Sequence, residues 1–480
     1  MALAALSFFP PVLQNSHLPW AMSGAAVVLV AWHGLLLASP SRRFRGLRVW
    51  ADFRPQHYVQ AGAQGAVLLY WGWYWPGVYD VGHLLAAQLL FAYAFDCLLC
   101  WTRRGTYVLG FAPVPVILSI NLFVWFKADW FYLQFLLIAV GLVVKEFCRW
   151  EKDGQRVHIF NPSSLPLALF SLGLIITGTS DLTWGQEIAT TLNNPPQIYL
   201  FIFLVSLPGQ LLFGVATMTL SAVVTIYLFG LAYLAVSGTY YFVDAYVPVS
   251  VFLGMHLLFT DPSTSPRTEL GRVLFGALYA CCVIGLYGIL GAVGAPRFYD
   301  KLLAVPIMNL LIQFIDRGVS KCPIGRFDLR WPGGRWRNLA SVGLWTLVFV
   351  GLSSLQGLGD THRGQWVSFW QEACADNRPN GCRHFGVLAS TYCDNGSGWA
   401  CNAYGLLLEP DRRPELAAAQ AVQGLWLAAS LGVALAVLGA WFGQRLLGLL
   451  GAEGTVLDQA GTYLRISLLG APAMLVMLAG

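Results

Sequence analysis

The sequence predicts an all-α polytopic membrane protein with about 12–14 transmembrane helices, some of them broken, plus a small exocytoplasmic helical segment stapled by disulfides. Three observations predict this class: the composition, a series of long apolar segments, and basic residues clustered in alternate loops. Of the 480 residues, 57% are hydrophobic and 11% are charged, whereas an ordinary soluble domain has about 25% charged residues. A soluble globular protein is therefore excluded, as are disordered, coiled-coil and nucleic-acid-binding proteins.

Apolar segments long enough to cross a bilayer, at about 20 residues each, follow one another along the chain. They lie near 18–38, 57–78, 80–101, 106–126, 129–148, 162–178, 197–213, 215–238, 243–260, 273–294, 297–317, 339–357, 421–445 and 462–480. The sixth and seventh segments are short and contain prolines. Two interpretations stay open for them: half-helices that line a site, or ordinary spans with kinks.

Clusters of basic residues follow odd-numbered segments, and Lys and Arg accumulate in cytoplasmic loops. They are Arg42, Arg43, Arg45, Arg48 and Arg54; Arg103 and Arg104; Lys145, Arg149, Lys152 and Arg156; Arg267 and Arg272; and Arg317, Lys321, Arg326, Arg330, Arg335 and Arg337. We therefore predict a multi-pass protein of a bacterial-type inner membrane, with the N-terminus outside. The N-terminus lacks the charged region of a signal peptide, so we expect it to be mature chain.

Four of the ten cysteines lie in the polar stretch 358–420, which this orientation places outside the membrane. Cys374, Cys382, Cys393 and Cys401 form two C-x7-C patterns. Disulfides persist outside the cytoplasm, so we predict the pairs Cys374–Cys382 and Cys393–Cys401, with a zinc site as the alternative. The stretches "QEACADNRPNGCRHFGVLAS" and "TYCDNGSGWACNAYGLLLE" resemble cysteine-rich Sel-like repeats over residues 366–408. That resemblance implies helices stapled in pairs.

The stretch 144–170 carries the first set of polar residues with a chemical role. Lys145-Glu146 ends a span, and Phe160-Asn161-Pro162 begins the next helix. An Asn side chain caps a helix and Pro suits its first turn, and the free N–H groups there attract an anionic or electron-rich ligand. A plain helix cap is the other interpretation.

Two further stretches carry polar groups at membrane depth. In 251–280, a span leads into Thr260-Asp261-Pro262, and Gly271-Arg272 begins the next span. His256 precedes Thr260 by one helical turn, either as a functional group of the membrane interior or as a structural histidine. In 296–317, Asn309 lies within a span that ends at Asp316.

Taken in order, and with Pro208-Gly209 between them, these stretches resemble the Rnf D/Nqr B family of membrane electron-transport proteins over about residues 85–320. The resemblance implies an integral component of a flavin-dependent, ion-translocating electron-transport complex, with lipid, other subunits and a quinone as its contacts. It also implies FMN, esterified to a Thr at the exocytoplasmic side. The best match for that Thr is Thr190, in Glu187-Ile188-Ala189-Thr190, where the family's Ser and Gly are absent. Covalent flavin, noncovalent flavin and loss of flavin stay open.

The remaining cofactor contacts implied by this resemblance are Asn161, Pro162, His256, Thr260, Asp261 and Pro262; catalytic residues stay unknown. Enzymatic activity is left open, because one component of a complex need not be active alone. The C-terminal stretch 410–480, with "LGAEGTVLDQAGTYLRISLLGAPAML", resembles part of the multidrug and toxic compound extrusion family. A membrane transporter of that type, or a redox-inert scaffold, is therefore the alternative function.

The predicted domain organisation has five parts. They are 1–56, an N-terminal span and basic loop; 57–320, the Rnf D/Nqr B-like membrane domain; 321–357, a basic loop and extra span; 358–420, the cysteine-rich segment; and 421–480, two spans that resemble an extrusion-family fragment.

Overall fold

A computed structural model describes residues 1–39, 46–152, 154–323, 334–356, 362–408, 414–449 and 453–479. The basic residues Arg42, Arg43, Arg45, Arg326 and Arg330 lie outside the described residues, as do residues 450–452 of the C-terminal motif. The chain forms two compact units. Unit 1 contains Met1–Ala232 and Asp244–His362, and unit 2 contains Tyr233–Val243 and Arg363–Gly480.

Helices make up almost all of unit 1. They are α1 (Ala2–Leu6), α2 (Pro10–Leu13), α3 (Leu18–Ala38), α4 (Pro55–Tyr74), α5 (Gly77–Asp80), α6 (Gly82–Arg104), α7 (Pro113–Asn121), α8 (Tyr132–Phe147), α9 (Ser164–Thr177), α10 (Gly185–Thr191), α11 (Ile198–Phe213), α12 (Ala216–Ser237), α13 (Val249–Leu257), α14 (Glu269–Ala292), α15 (Asp300–Lys321) and α16 (Arg335–Gln356). The last turn of α12 belongs to unit 2.

Two short ribbons of strand join these helices. Strand β1 (Arg48–Ala51) pairs in parallel with β2 (Thr106–Leu109). Strand β3 (Arg149–Lys152) pairs antiparallel with β4 (Gln155–His158), with Arg149 opposite His158. The second ribbon leads directly into the Asn161 turn that precedes α9.

Seven helices among the described residues are long and apolar enough to cross a membrane: α3, α6, α12, α14, the segment Arg297–Lys321 that contains α15, α16, and Val422–Gly448 in unit 2. Helices α9 and α11 are apolar but shorter. The chain is therefore an all-α polytopic membrane protein, as the composition predicts, and its apolar helices contact lipid.

The structure differs from the predicted spans at 106–126 and 243–260, where the helices α7 and α13 have nine residues each. Residues 122–126 after α7 and residues 245–247 before α13 are buried and non-helical. Such backbone is tolerated at membrane depth only where protein or a polar cavity surrounds it. The helix breaks of unit 1 are therefore at α7 and α13 as well as at the short α9 and α11.

Small residues permit close helix contacts in unit 1. A Cβ on Gly276 of α14 would collide with the carbonyl oxygen of Met218 in α12. Gly214 ends α11 with a φ of +66°, and a Cβ there would also meet the Asn338 side chain of α16. A larger residue at Gly276 would collide with the backbone of α12, and one at Gly214 would have to adopt a left-handed conformation that glycine adopts most easily.

Unit 2 consists of α17 (Val367–Ala375), α18 (Gly381–Asp394), α19 (Gly398–Leu408), α20 (Pro414–Leu449), α21 (Gly454–Leu469) and α22 (Ala471–Ala479). One disulfide, Cys374–Cys382, links α17 to α18, and the other, Cys393–Cys401, links α18 to α19. These are the two predicted pairs, so these sulfurs are not free to bind zinc. In place of a single span at 462–480, α21 and α22 divide at Gly470.

We expect Gly276→Ala to lower the stability of the folded protein by about 1–3 kcal/mol, because the new methyl group overpacks α12 against α14. Thermal unfolding in detergent, followed by tryptophan fluorescence, measures the change. Gly285→Ala is the matched control on the same helix, since nothing lies within 4 Å of its Cβ position. Equal midpoints for the two variants would contradict the close contact.

Candidate ligand site in the first unit

A polar cavity of about 240 Å³ lies among the helix ends of unit 1. The first turns of α4 and α7 and the turn that leads into α9 form part of its wall, together with the last turn of α8, the end of α11 and the turn that follows α13. Helices α4 and α7 begin with Pro55 and Pro113, whose missing N–H groups cost nothing at a helix start. The wall is therefore built largely from helix termini.

Asn161 is the hydrogen-bonding centre of this wall. Its side-chain oxygen accepts from the backbone N–H and the hydroxyl of Ser163, at 2.9 and 2.7 Å. Its side-chain nitrogen donates to the Leu258 carbonyl oxygen at 2.9 Å. Its backbone N–H donates to the side-chain oxygen of Asn309 at 3.1 Å. The side-chain amide of Asn161 thus caps α9 and connects it to the end of α13, and its backbone N–H connects it to α15.

Asp261 lies in the turn after α13 and pairs with His158 at the end of β4. The two side chains approach to 2.8 Å, from His158 Nε2 to Asp261 Oδ2. The backbone N–H of Ser263 donates to Asp261 Oδ1 at 2.9 Å. Burial raises the pKa of the Asp261 carboxyl, but the charge and hydrogen bond of His158, the Ser263 N–H and the charge of Lys145 together outweigh it. The pKa is therefore below its ordinary value of 3.8.

Basic side chains dominate the remaining wall. Lys145 from the last turn of α8 and Arg54 and His57 from the start of α4 line the cavity. Arg54 pairs with Asp52 at 2.8 Å. Lys145 forms no ion pair within the described residues. A ligand here meets at least one cation, that of Lys145, which forms no direct ion pair with a carboxylate of the described chain.

The cavity brings together four of the predicted cofactor contacts, Asn161, Pro162, Asp261 and Pro262. Thr260 and His256 lie behind the wall, since the Thr260 hydroxyl donates to the His256 carbonyl oxygen at 2.8 Å. The His256 ring is 2% exposed, and its Nδ1 is 2.7 Å from the Phe252 carbonyl oxygen. Its Nε2 has no partner within the described residues.

Thr190 lies at the other end of α4 from the cavity. His57 lines the cavity near the start of α4, whereas Trp71 near its end donates from Nε1 to the hydroxyl of Thr191 at 3.3 Å. His57 and Trp71 are 14 positions apart on the same helix, about 21 Å at 1.5 Å of rise per residue. Thr190 itself is exposed, and its hydroxyl donates to carbonyl oxygens of its own helix.

The other motif residues have structural roles. Glu146 bonds Arg104 and Arg149 at 2.6 and 2.7 Å, which ties α8 to α6. Asp316 accepts from the backbone N–H of Arg267 at 3.0 Å. The backbone N–H of Gly271 donates to the Thr268 hydroxyl, and Arg272 forms an ion pair with Glu269. Pro208 and Gly209 lie within α11.

Sequence reasoning missed two kinds of residue. Arg54 and His57 line the cavity, and the signal for them was a proline at a helix start after a polar loop, as at Pro162. Asp300 and Lys301 are each 2% exposed and lie 3.5 Å apart, although the sequence places them at a span's edge. In the short turn Arg297–Tyr299, the Phe298 carbonyl oxygen accepts from the buried Lys301 ammonium.

The MatE family model matches residues 411–480, which contain α20, α21 and α22 of unit 2. No curated protein and no solved structure matches the chain. The match covers the stretch whose sequence resembles the multidrug and toxic compound extrusion family. It includes none of the residues of unit 1.

We expect Asp261→Asn to destabilise the protein at neutral pH and to have little effect in acid. Because the folded state lowers the pKa of Asp261, its carboxylate stabilises the fold above the ordinary value of 3.8, and this contribution is lost as the pH falls below it. Thermal midpoints of wild type and variant, measured across this range, test the prediction. Asp181→Asn, at an exposed position, is the control. A difference in thermal midpoint between wild type and Asp261→Asn that grows as the pH falls would contradict the stabilising role of the ionised carboxylate.

Proposed function

We propose that the chain works in transmembrane transport, and that the polar cavity of unit 1 holds the transported molecule. One observation carries this proposal: the ends of short and broken helices surround a polar cavity inside an apolar helical unit. Secondary transporters typically bind their substrates where helices are interrupted, with half-helix termini directed at the substrate. Helices α7, α9 and α13 supply such termini here.

The MatE match supports a transport role from a second direction, because it names a membrane transporter family for residues 411–480. Those residues form only α20, α21 and α22, and so few helices do not enclose a path for a solute. We therefore assign the solute path to unit 1. In the orientation that the basic loops favour, the cavity opens toward the cytoplasm of an inner membrane.

Alternating access predicts that a cysteine in the cavity reacts from both sides of the membrane. Ser263 lines the cavity and is half-buried, so Ser263→Cys is the probe, in a background with Cys97, Cys100, Cys148, Cys281, Cys282 and Cys322 replaced by serine. Sealed vesicles of each orientation are treated with a membrane-impermeant thiol reagent. We expect labelling from either side.

Ser320→Cys is the matched control, since Ser320 lies in the last turn of α15 at the end of its span. We expect this control to react from one side only. Labelling of Ser263→Cys from that same side alone would contradict transport through the cavity.

Flavin-linked electron transport is the second candidate, and a different observation favours it. Asn161, Asp261 and Asn309 come from three stretches that resemble the Rnf D/Nqr B family; Asn161 and Asp261 line one cavity, and Asn309 accepts from the backbone N–H of Asn161. A tryptophan cluster adjoins the Thr190 helix: the ring of Trp71 is 5.0 Å from that of Trp75 and 5.7 Å from that of Trp125. Aromatic and apolar surroundings suit an isoalloxazine ring.

FMN on Thr190 and a ligand in the cavity would be different molecules, given that they lie at opposite ends of α4. The exposed hydroxyl of Thr190 fits an ester with the FMN phosphate. FMN would supply electron transfer there, and the chain would position the ring. Under this candidate, other subunits and a quinone provide the electron donor and acceptor.

Flavin fluorescence on a denaturing gel tests the second candidate. If it holds, wild type gives a fluorescent band that Thr190→Val lacks. Thr191→Val is the matched control and keeps the band, because its hydroxyl bonds Trp71 rather than facing outward. The absence of flavin from both the gel and the absorbance spectrum of the native protein would eliminate this candidate and leave transport.

A further inference from the structure

The cavity of unit 1 has a positive character that comes from backbone as well as side chains. The N-termini of α4, α7 and α9 meet at its wall, and each helix N-terminus carries roughly half a positive charge. These helices have 20, 9 and 14 residues, so each has at least two full turns of aligned peptide dipoles. An anion in the cavity would be attracted from three directions.

Side chains add donors around the same space. The Lys145 ammonium lines the cavity without an ion-pair partner among the described residues. Ser119, which is 2% exposed, lines the cavity from α7. Its hydroxyl lies 2.6 Å from the side-chain amide nitrogen of Gln64. A buried hydroxyl and a cation thus face the same cavity.

Asp261 is the one carboxylate of the described cavity lining. His158 and the Ser263 N–H each occupy one lone-pair position on it, and an ionised carboxylate has about four such positions. A ligand that still carries a proton can donate to a remaining position, whereas a fully ionised ligand is repelled there. The lining therefore favours an oxyanion that retains a proton at neutral pH.

We propose that this cavity binds a phosphate group with two ionisable protons, either as a small solute such as inorganic phosphate or a phosphate monoester, or as the monoester headgroup of phosphatidic acid. Part of a phosphate monoester population keeps a proton near neutral pH, because its second pKa is about 6, and its tetrahedral oxygens accept from several directions. The volume of about 240 Å³ corresponds to about eight water molecules at about 30 Å³ each. That space fits a phosphate with a small organic group and leaves lipid chains outside. Identification of this ligand as the transported molecule rests on the transport proposal, whereas the phosphate site itself does not.

Inorganic phosphate is the first probe, added to protein purified in detergent without phospholipid or phosphate buffer, with binding measured by calorimetry and thermal shift. We expect phosphate to bind wild type and sulfate to bind more weakly, because sulfate has no proton for Asp261. Lys145→Gln should weaken phosphate binding about tenfold or more, since it removes a charged hydrogen-bond donor. Lys145→Arg keeps the charge and should restore much of the affinity, which separates loss of the site from loss of the fold.

Lys127→Gln is the matched control, as Lys127 lies 5.0 Å from the ring of Trp184, beyond the cavity lining. A second arm uses native mass spectrometry with phosphatidic acid, whose headgroup is a phosphate monoester. Binding of phosphatidic acid that Lys145→Gln abolishes, without a response to inorganic phosphate, assigns the phosphate to a lipid headgroup.

Wild type that binds neither probe, or Lys145→Gln that binds both as wild type does, would overturn the proposal. The transport proposal is separable, because it depends on labelling of Ser263→Cys from both sides. Labelling from both sides without binding of either probe refutes the phosphate site alone. Binding of either probe with labelling from one side refutes transport alone.

Discussion

The fold of unit 1 depends on the hydrogen bonds of one buried residue, Asn161. A polar side chain inside an apolar unit is costly unless its donors and acceptors are satisfied. The Asn161 side chain satisfies this requirement by bonding the start of α9 and the Leu258 carbonyl oxygen after α13, and the backbone N–H of the same residue donates to the side chain of Asn309 in α15. The positions of three chain segments are therefore set by one residue, and the cavity forms where those segments meet.

The cavity follows from the short helices in the same way. When α13 ends at Leu257 inside the unit, its last carbonyl groups need partners. Gln60 and Asn161 supply two of them, at the carbonyl oxygens of Leu257 and Leu258. Polar residues gather around each helix end for this reason, and the space between them is open to a polar ligand. Architecture and binding chemistry thus have a common cause.

Composition and the long apolar segments were sufficient to predict the membrane class, and the C-x7-C spacing predicted both disulfides. The short helices α9 and α11 also match the short segments of the sequence. The breaks at α7 and α13 were not predictable. Non-helical backbone there is buried by protein, and the sequence of an apolar segment does not show whether lipid or protein surrounds it. Asp300 and Lys301 were missed since burial of a charged pair at a span's edge depends on neighbours distant in the chain. The sequence motifs did not show that Thr190 and Asp261 lie far apart. That distance is set by the length of α4, which separates them, and no local motif records it.

The bond between Asn161 and Asn309 joins residues 148 positions apart, and this has a consequence for biosynthesis. Ribosomes add about 5–20 residues each second, so α9 enters the membrane many seconds before α15 is available. During that interval the backbone N–H of Asn161 lacks its native acceptor in an environment where unsatisfied polar groups are costly. Insertion of the first half of unit 1 is therefore provisional until α15 arrives, and the half-made chain is the species most exposed to quality-control proteases.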